Sequence, residues 1–174
     1  RAEYQEDFES FCATNGLNTD KPIIALLAGS RKQEIRKMLG LMLSVTPYFK
    51  DYQFVIAGAP SLPKEFYDEF LTDDVHFVSN KTYDLLRSSK AALVTSGTAT
   101  LETALLKIPE VVCYRGSWIS YQIAKRLVKH IKFISLVNLI MDKEVVKELI
   151  QNDLTTENIN SELEKILNPG QREK

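Results

Sequence analysis

The segment Thr95-Ser96-Gly97-Thr98-Ala99-Thr100-Leu101-Glu102 brings hydroxyls, a glycine and a carboxylate together at spacings that suit phosphate and sugar chemistry. It follows the apolar run 91–94 and precedes the helix formers Ala104, Leu105 and Leu106, so it reads as a tight strand-to-helix turn. Such a junction aims several unpaired backbone N–H groups and the positive end of a helix dipole at one point. Phosphate groups bind at points of that kind. Glu102 falls one turn into the helix, where an acceptor carboxylate suits a pair of ribose hydroxyls. The turn is neither Gly-x-Gly-x-x-Gly nor Gly-Lys-Thr, so no dinucleotide fingerprint and no P-loop is indicated. The same residues also fit an ordinary βα turn with a capping hydroxyl and a solvated Glu.

A second candidate is Ala28-Gly29-Ser30-Arg31-Lys32-Gln33-Glu34-Ile35. Gly29 permits a sharp turn, and Ser30 with Gln33 fits the capping-box pattern. Arg31 falls at the first helical position, an unfavourable place for a cation unless an anion occupies the mouth of the helix. It could face a diphosphate, or reach away to a surface carboxylate. Further along, Asn138 is expected at the carboxyl end of a strand, where its amide could hold a sugar hydroxyl. Gln151, at an expected helix end, could do likewise. Either also suits a local backbone cap. The loop Ser79-Asn80-Lys81-Thr82 could offer backbone groups to a nucleobase, although helix capping alone would explain its polar residues.

Other chemistries find little support. His76 alternates within an apparent strand and His130 ends a basic helix, so both read as structural or solvated. Cys12 and Cys113 form no metal-ligand or C-x-x-C pattern. A zinc site is not expected, and no cofactor is called for. A net charge of −1 gives no general attraction to nucleic acid, so any anion site must be local. Two thiols and no signal peptide suggest a reducing cytoplasm. No apolar run approaches the length of a membrane span. The chain opens at Arg1 with no Met, inside helical sequence (Tyr4, Phe8, Phe11), and so reads as a piece of a longer protein.

The elements that must position these residues alternate from residue 23 onward. Strand-like runs occupy 23–28, 53–57, 75–78, 91–95, 111–114 and 133–136. Helix-period segments occupy 31–46, 63–71, 82–89, 98–107 and 117–129, with a final pair at 142–151 and 156–167. Strict alternation argues for an α/β fold, a doubly wound parallel sheet with helices on both faces. Ligands of such sheets sit at the carboxyl ends of the strands. Residues 1–22 read as a lead-in helix, 23–167 as one Rossmann-like α/β domain and 168–174 as a frayed tail. On the helix at 117–129, Trp118, Tyr121, Lys125, Arg126 and Lys129 leave the sheet-facing stripe. They would suit an interfacial membrane contact, a domain contact or a solvated face.

Six ordered segments carry a family resemblance: 27–35 (Leu-Ala-Gly-Ser-Arg-Lys-Gln-Glu-Ile), 96–102 (Ser-Gly-Thr-Ala-Thr-Leu-Glu) and 109–115 (Pro-Glu-Val-Val-Cys-Tyr-Arg), followed by 124–129, 136–140 and 147–151. The chain resembles the C-terminal half of the bacterial lipid-A-disaccharide synthases. That resemblance implies one Rossmann-like domain of a GT-B glycosyltransferase. It implies transfer from UDP-2,3-diacylglucosamine to 2,3-diacylglucosamine 1-phosphate (a lipid X-type acceptor), with inversion, a β-1,6 link and release of UDP. By the same resemblance Ser96, Gly97, Thr98 and Ala99 would hold the diphosphate and Glu102 the ribose. Ser30, Arg31, Asn138 and Gln151 would line the cleft near the diphosphate or donor sugar. No catalytic residue is expected in this chain, because the base and most of the acceptor site would belong to an N-terminal half. The setting implied is the cytoplasm, with scope for peripheral contact at the inner face of the inner membrane. Without an Asp-x-Asp pair to hold a metal, the leaving diphosphate would rest on Arg31 and the turn amides. Ala28 and Val137 stand where the family usually has Pro, and Glu110 where it has an apolar residue. Another GT-B enzyme, or a non-catalytic module binding a UDP-GlcNAc-type nucleotide sugar, is the alternative, and a plain structural α/β domain would bind no nucleotide.

Overall fold

The structure is a computed structural model that describes residues 2–95, 98–130 and 133–170, apart from the side chains of 2–6, 117–120, 122 and 128. Five strands stand close to where the apolar runs place them: β1 (Ile23–Leu27), β2 (Gln53–Gly58), β3 (Val75–Ser79), β4 (Ser89–Val94) and β5 (Glu110–Tyr114). With β6 (Lys147–Ile150) they form, among the described residues, a six-stranded sheet in the order β3-β2-β1-β4-β5-β6. Every neighbouring pair is parallel. The chain steps outward from β1 to β3, then restarts with β4 on the other side of β1. That reversal leaves a crevice at the carboxyl ends of β1 and β4.

Period-two alternation sends successive strand residues to opposite faces. Ile24, Leu26, Phe54, Ile56, Ala91 and Leu93 pack with Ile35, Met38, Leu39 and Met42 of α2 (Lys32–Leu43) and with Ile159 and Leu163 of α7 (Thr156–Leu167). Ile23, Ala25, Leu27, Val55, Ala92 and Val94 pack on the opposite face with Leu85 and Leu86 of α3 (Thr82–Arg87). Helices therefore cover both faces, which is why the central strands are nearly all apolar. Phe8, Phe11 and Cys12 of α1 (Ala2–Asn15) belong to that second core. Gln53 secures the segment that follows α1, donating to the carbonyls of Asn18 and Lys21, each at 2.6 Å.

The structure corrects several expected elements. The helix expected over 31–46 ends at Leu43, and Pro47 lies in a separate 3-10 turn over Thr46–Tyr48. The segment 63–71 is a 3-10 helix over Lys64–Phe70. Residues 133–136 are not a strand: Ser135 instead caps α6 (Leu136–Met141), its Oγ accepting the Asn138 N–H at 3.3 Å. The sixth strand falls inside 142–151, where a helix was expected. Asp142 adopts φ 51, which ends α6 and frees the chain to extend. Val146 and Ile150 then face Val112 and Tyr114, while Leu149 joins the other core. The remaining helices are α4 (Thr98–Leu105) and α5 (Ser117–Val128).

Candidate functional site

Two loops leave the sheet side by side at the point where the strand order reverses. Leu27 and Val94 are partners at the ends of β1 and β4. The Thr95 N–H extends that pairing, donating to the Leu27 carbonyl at 2.8 Å. Ala28 and Thr95 therefore leave the sheet next to one another.

In the first loop Gly29 has φ +101, a conformation open to glycine and strained for any other residue. Ser30 and Arg31 are exposed. Arg31 is the N-cap of α2, with φ −97 and ψ 134, and its carbonyl accepts the Ile35 N–H at 2.9 Å. No side chain caps the helix from that position. The expected Ser30–Gln33 box is therefore not formed. At the third helical position stands half-buried Glu34, the acid of the first turn, whose carboxylate packs against Gly29. Burial pushes the Glu34 carboxyl above its ordinary value, while the backbone of Arg31 and Ser30 and the Arg31 charge pull against it. The anion that a cation at this helix end calls for is thus supplied within the chain.

In the second loop Ser96 and Gly97 lie outside the described residues. Thr98 opens α4 and is exposed, and Ala99 is half-buried with its carbonyl accepting the Thr103 hydroxyl at 2.7 Å. Glu102 is half-buried one turn into α4. Thr95 is 3% exposed, and its Oγ1 has no hydrogen-bond partner among the described residues.

Asn138 and Gln151 prove to be tied up. Asn138 is fully buried in α6, not at a strand end. Its Nδ2 donates to the Val146 carbonyl at 2.8 Å and to Glu148 Oε2 at 2.9 Å, and its Oδ1 accepts from Val145 and Val146 at 2.7 and 3.0 Å. That fills the capacity of an amide. Gln151 follows β6 with φ 53 and straddles Gly116, accepting from its N–H at 3.0 Å and donating to its carbonyl at 3.1 Å. Both amides hold neighbouring loops in place. After β3, Asn80 has φ 55, and Lys81, the N-cap of α3, makes no side-chain capping bond but donates through Nζ to Asn15 Oδ1 at 2.8 Å.

Sequence reasoning missed two carboxylates. Glu34 was legible as an acid three residues beyond an N-cap, had the cap been placed at Arg31. Glu148 was hidden by the helix assigned around it. It collects the N–H groups of Ile134 and Ser135, the Ser135 hydroxyl and the Asn138 amide at 2.7–3.2 Å.

The other candidate groups lie apart. His76 sits in β3 and His130 follows α5 at φ 57. Burial pushes the Cys113 thiol up to about 12 and raises that of Cys12, so neither supplies a thiolate at neutral pH. On α5, Tyr121 and Leu127 are exposed, while the side chain of Trp118 lies outside the described residues. No helix among the described residues is long and apolar enough to cross a membrane. One cavity of about 250 Å³ lies between α1 and α3, and another of about 350 Å³ lies between α5 and the end of β6. Neither touches the paired loops, which form one wall of an open crevice.

The family model for lipid-A-disaccharide synthetase matches residues 1–174. A lipid-A-disaccharide synthase of Anaeromyxobacter dehalogenans is 37% identical over 167 residues, covering 91% of this chain and 43% of that protein. The chain spans less than half the length of the curated relatives it matches. Among solved structures, the ADP-heptose LPS heptosyltransferase II of E. coli superposes with a TM-score of 0.64 at 15% identity, covering 95% of this chain and 52% of that one. WaaG, a glycosyltransferase involved in lipopolysaccharide biosynthesis, gives 0.59 at 15% identity over 92% and 42%. These two likenesses show the fold, a Rossmann-like domain of the GT-B kind.

Proposed function

The chain belongs to the lipid-A-disaccharide synthetase family, and we propose that it is the part of that glycosyltransferase which holds the UDP-sugar donor. The observation that carries this reading is the pairing of two loops at the strand-order reversal: Arg31 on one, the N-terminus of α4 on the other, joined through Leu27 and Thr95. On this reading the diphosphate rests on the backbone of Ser96–Ala99 and the dipole of α4, with Arg31 beside it and Ser30 at the same rim. Glu102 accepts from the ribose hydroxyls. The loop after β3, three strand spacings or ~14 Å from β4, is placed to meet the base.

The donor is then UDP-2,3-diacylglucosamine and the acceptor 2,3-diacylglucosamine 1-phosphate. The acceptor's 6-hydroxyl oxygen attacks C1 of the donor sugar as the bond from C1 to the β-phosphate oxygen breaks. The bonding pair leaves with UDP, and the hydroxyl proton goes to a base outside this chain. Attack from the face opposite UDP inverts C1. Negative charge grows on the leaving diphosphate, where the α4 amides and the Arg31 guanidinium stabilise it without a metal ion. Asn138 and Gln151, their amides taken, serve this site by fixing loops.

Calorimetric titration of the chain with UDP, and with ADP as control, tests the reading. Saturable UDP binding that exceeds ADP binding and weakens in Glu102→Ala is expected. Equal affinity for both nucleotides, or none for either, would overturn it. In an enzyme with both halves, Arg31→Ala should cost about 2–4 kcal/mol of transition-state stabilisation, as loss of an oxyanion donor does. A change in kcat/KM within about threefold would remove Arg31 from the site.

A further inference from the structure

We propose that Glu34 is a positioning residue for this site: its carboxylate, seated in the β1–α2 turn against Gly29, sets where the Arg31 guanidinium meets the donor's phosphates. The inference rests on the donor-site reading above and adds a residue that touches no substrate.

Three observations converge on it. First, the α2 N-terminus has no other side-chain cap, since Arg31 at the N-cap carries donors and no acceptor. Glu34, the acid of the first turn at the third helical position, stands where a capping-box carboxylate belongs. Second, the carboxylate lies on the α-carbon of Gly29: a Cβ built there would sit 2.7 Å from Glu34 Oε2, 2.8 Å from Cδ and 3.1 Å from Oε1. The turn and the carboxylate therefore occupy one another's space, and Gly29 at φ +101 is the residue that allows it. Third, the Arg31 charge is near enough to favour the ionised form of the same carboxylate. The turn's shape and the charge of its N-cap residue thus meet at a single half-buried group.

A division of labour follows. The mouth of α2 is already filled by the chain's own anion, so an incoming phosphate does not bind there. It must use the neighbouring α4 terminus and the Arg31 side chain that projects from the braced turn. Misplacing a charged group by about 1 Å at a phosphate is a large effect, whereas the nucleoside end of the ligand would not register it.

The test is a double-mutant cycle on this chain, read by titration with UDP and with uridine, and with thermal unfolding to confirm that each variant is folded. Glu34→Ala should weaken UDP about tenfold and leave uridine within about twofold. Glu34→Gln, which keeps an acceptor oxygen at the same reach, should restore most of the UDP affinity. In an Arg31→Ala background, Glu34→Ala should cost less than about twofold more, because the two residues act through one contact. If Glu34→Ala does not fold, Glu34→Asp takes its place in the cycle, since it keeps the charge but falls one methylene short of the turn. UDP affinity within about twofold of wild type in the folded variant, equal losses for UDP and uridine, or additive losses with Arg31→Ala would each overturn the proposal. Wild-type chain that binds neither ligand would instead overturn the donor-site reading, and this inference with it.

Discussion

Glu110 shows how much one side chain can cost at the residue scale. It opens β5 at 3% exposure, and neither carboxylate oxygen has a hydrogen-bond partner among the described residues. Burial moves its pKa from an ordinary 4.5 up to about 8. Between those values the folded chain keeps a proton that the unfolded chain has released. Stability is therefore fully present below the unfolded value and declines as pH rises toward about 8, where the buried group must ionise. Each unit of separation corresponds to ~1.4 kcal/mol, so the effect is measurable even if solvent reaches the group in part. Glu110→Gln keeps the size and removes the titration. The thermal midpoint of wild type is expected to fall relative to this variant between about pH 5 and pH 8.5. Parallel curves would show that the carboxylate is solvated or paired in solution. The site itself is not at stake, because Glu110 lies at the amino end of its strand and the paired loops lie at the carboxyl ends.

At the element scale, α6 and β6 are joined through Asn138 and Glu148, and little of that was legible beforehand. Asn138→Ala strips four hydrogen bonds from a fully buried position and leaves the Val145 and Val146 amides and Glu148 short of partners. A loss of about 2–4 kcal/mol in urea unfolding is expected. A loss under about 0.5 kcal/mol would mean that water replaces the amide without cost. The first five strands were readable because each is a short, largely apolar run bounded by turn residues, and in β1, β2, β4 and β5 nearly every residue is buried. β6 was not, because Val145, Val146 and Leu149 satisfy the helical period as well as the strand period over so short a stretch. The positive φ at Asp142 that decides between them leaves no mark in composition. The same holds in the β1–α2 turn. Ser30-x-x-Gln33 and Arg31-x-x-Glu34 are offset by one residue, and sequence spacing cannot rank them. The Gly29 conformation and the carboxylate packed against it do. The loops after Ala28 and Thr95 were legible as two of the six that alternating elements put at the carboxyl ends of strands. That β4 lies beside β1 was not, because alternation leaves the strand order open.

At the scale of the whole molecule, the described residues present one face of a crevice and, among themselves, no opposing wall. The paired loops are bordered by exposed Ser30, Arg31 and Thr98, and neither described cavity encloses them. A surface of this kind can hold a nucleotide by its phosphates and ribose, but it cannot exclude water from a reacting sugar. Among the described residues neither histidine lies at the paired loops, since His76 is on β3 and His130 beyond α5, both thiols are buried, and on the proposed reading the two carboxylates there, Glu34 and Glu102, are given to the turn and the ribose. Binding energy that is equal in ground and transition states does not accelerate a reaction. Without a base to take the acceptor's proton, a further factor of about 10²–10⁴ is missing. The chain spans 43% of the length of its Anaeromyxobacter relative. The expected outcome is therefore a split between binding and turnover. The chain alone should bind UDP and release none from UDP-2,3-diacylglucosamine in the presence of 2,3-diacylglucosamine 1-phosphate. The same chain joined to the remaining part of a family member should release UDP and form the disaccharide, and Arg31→Ala should depress that rate. Turnover by the chain alone would place the base among the residues described above and overturn the division between the two halves.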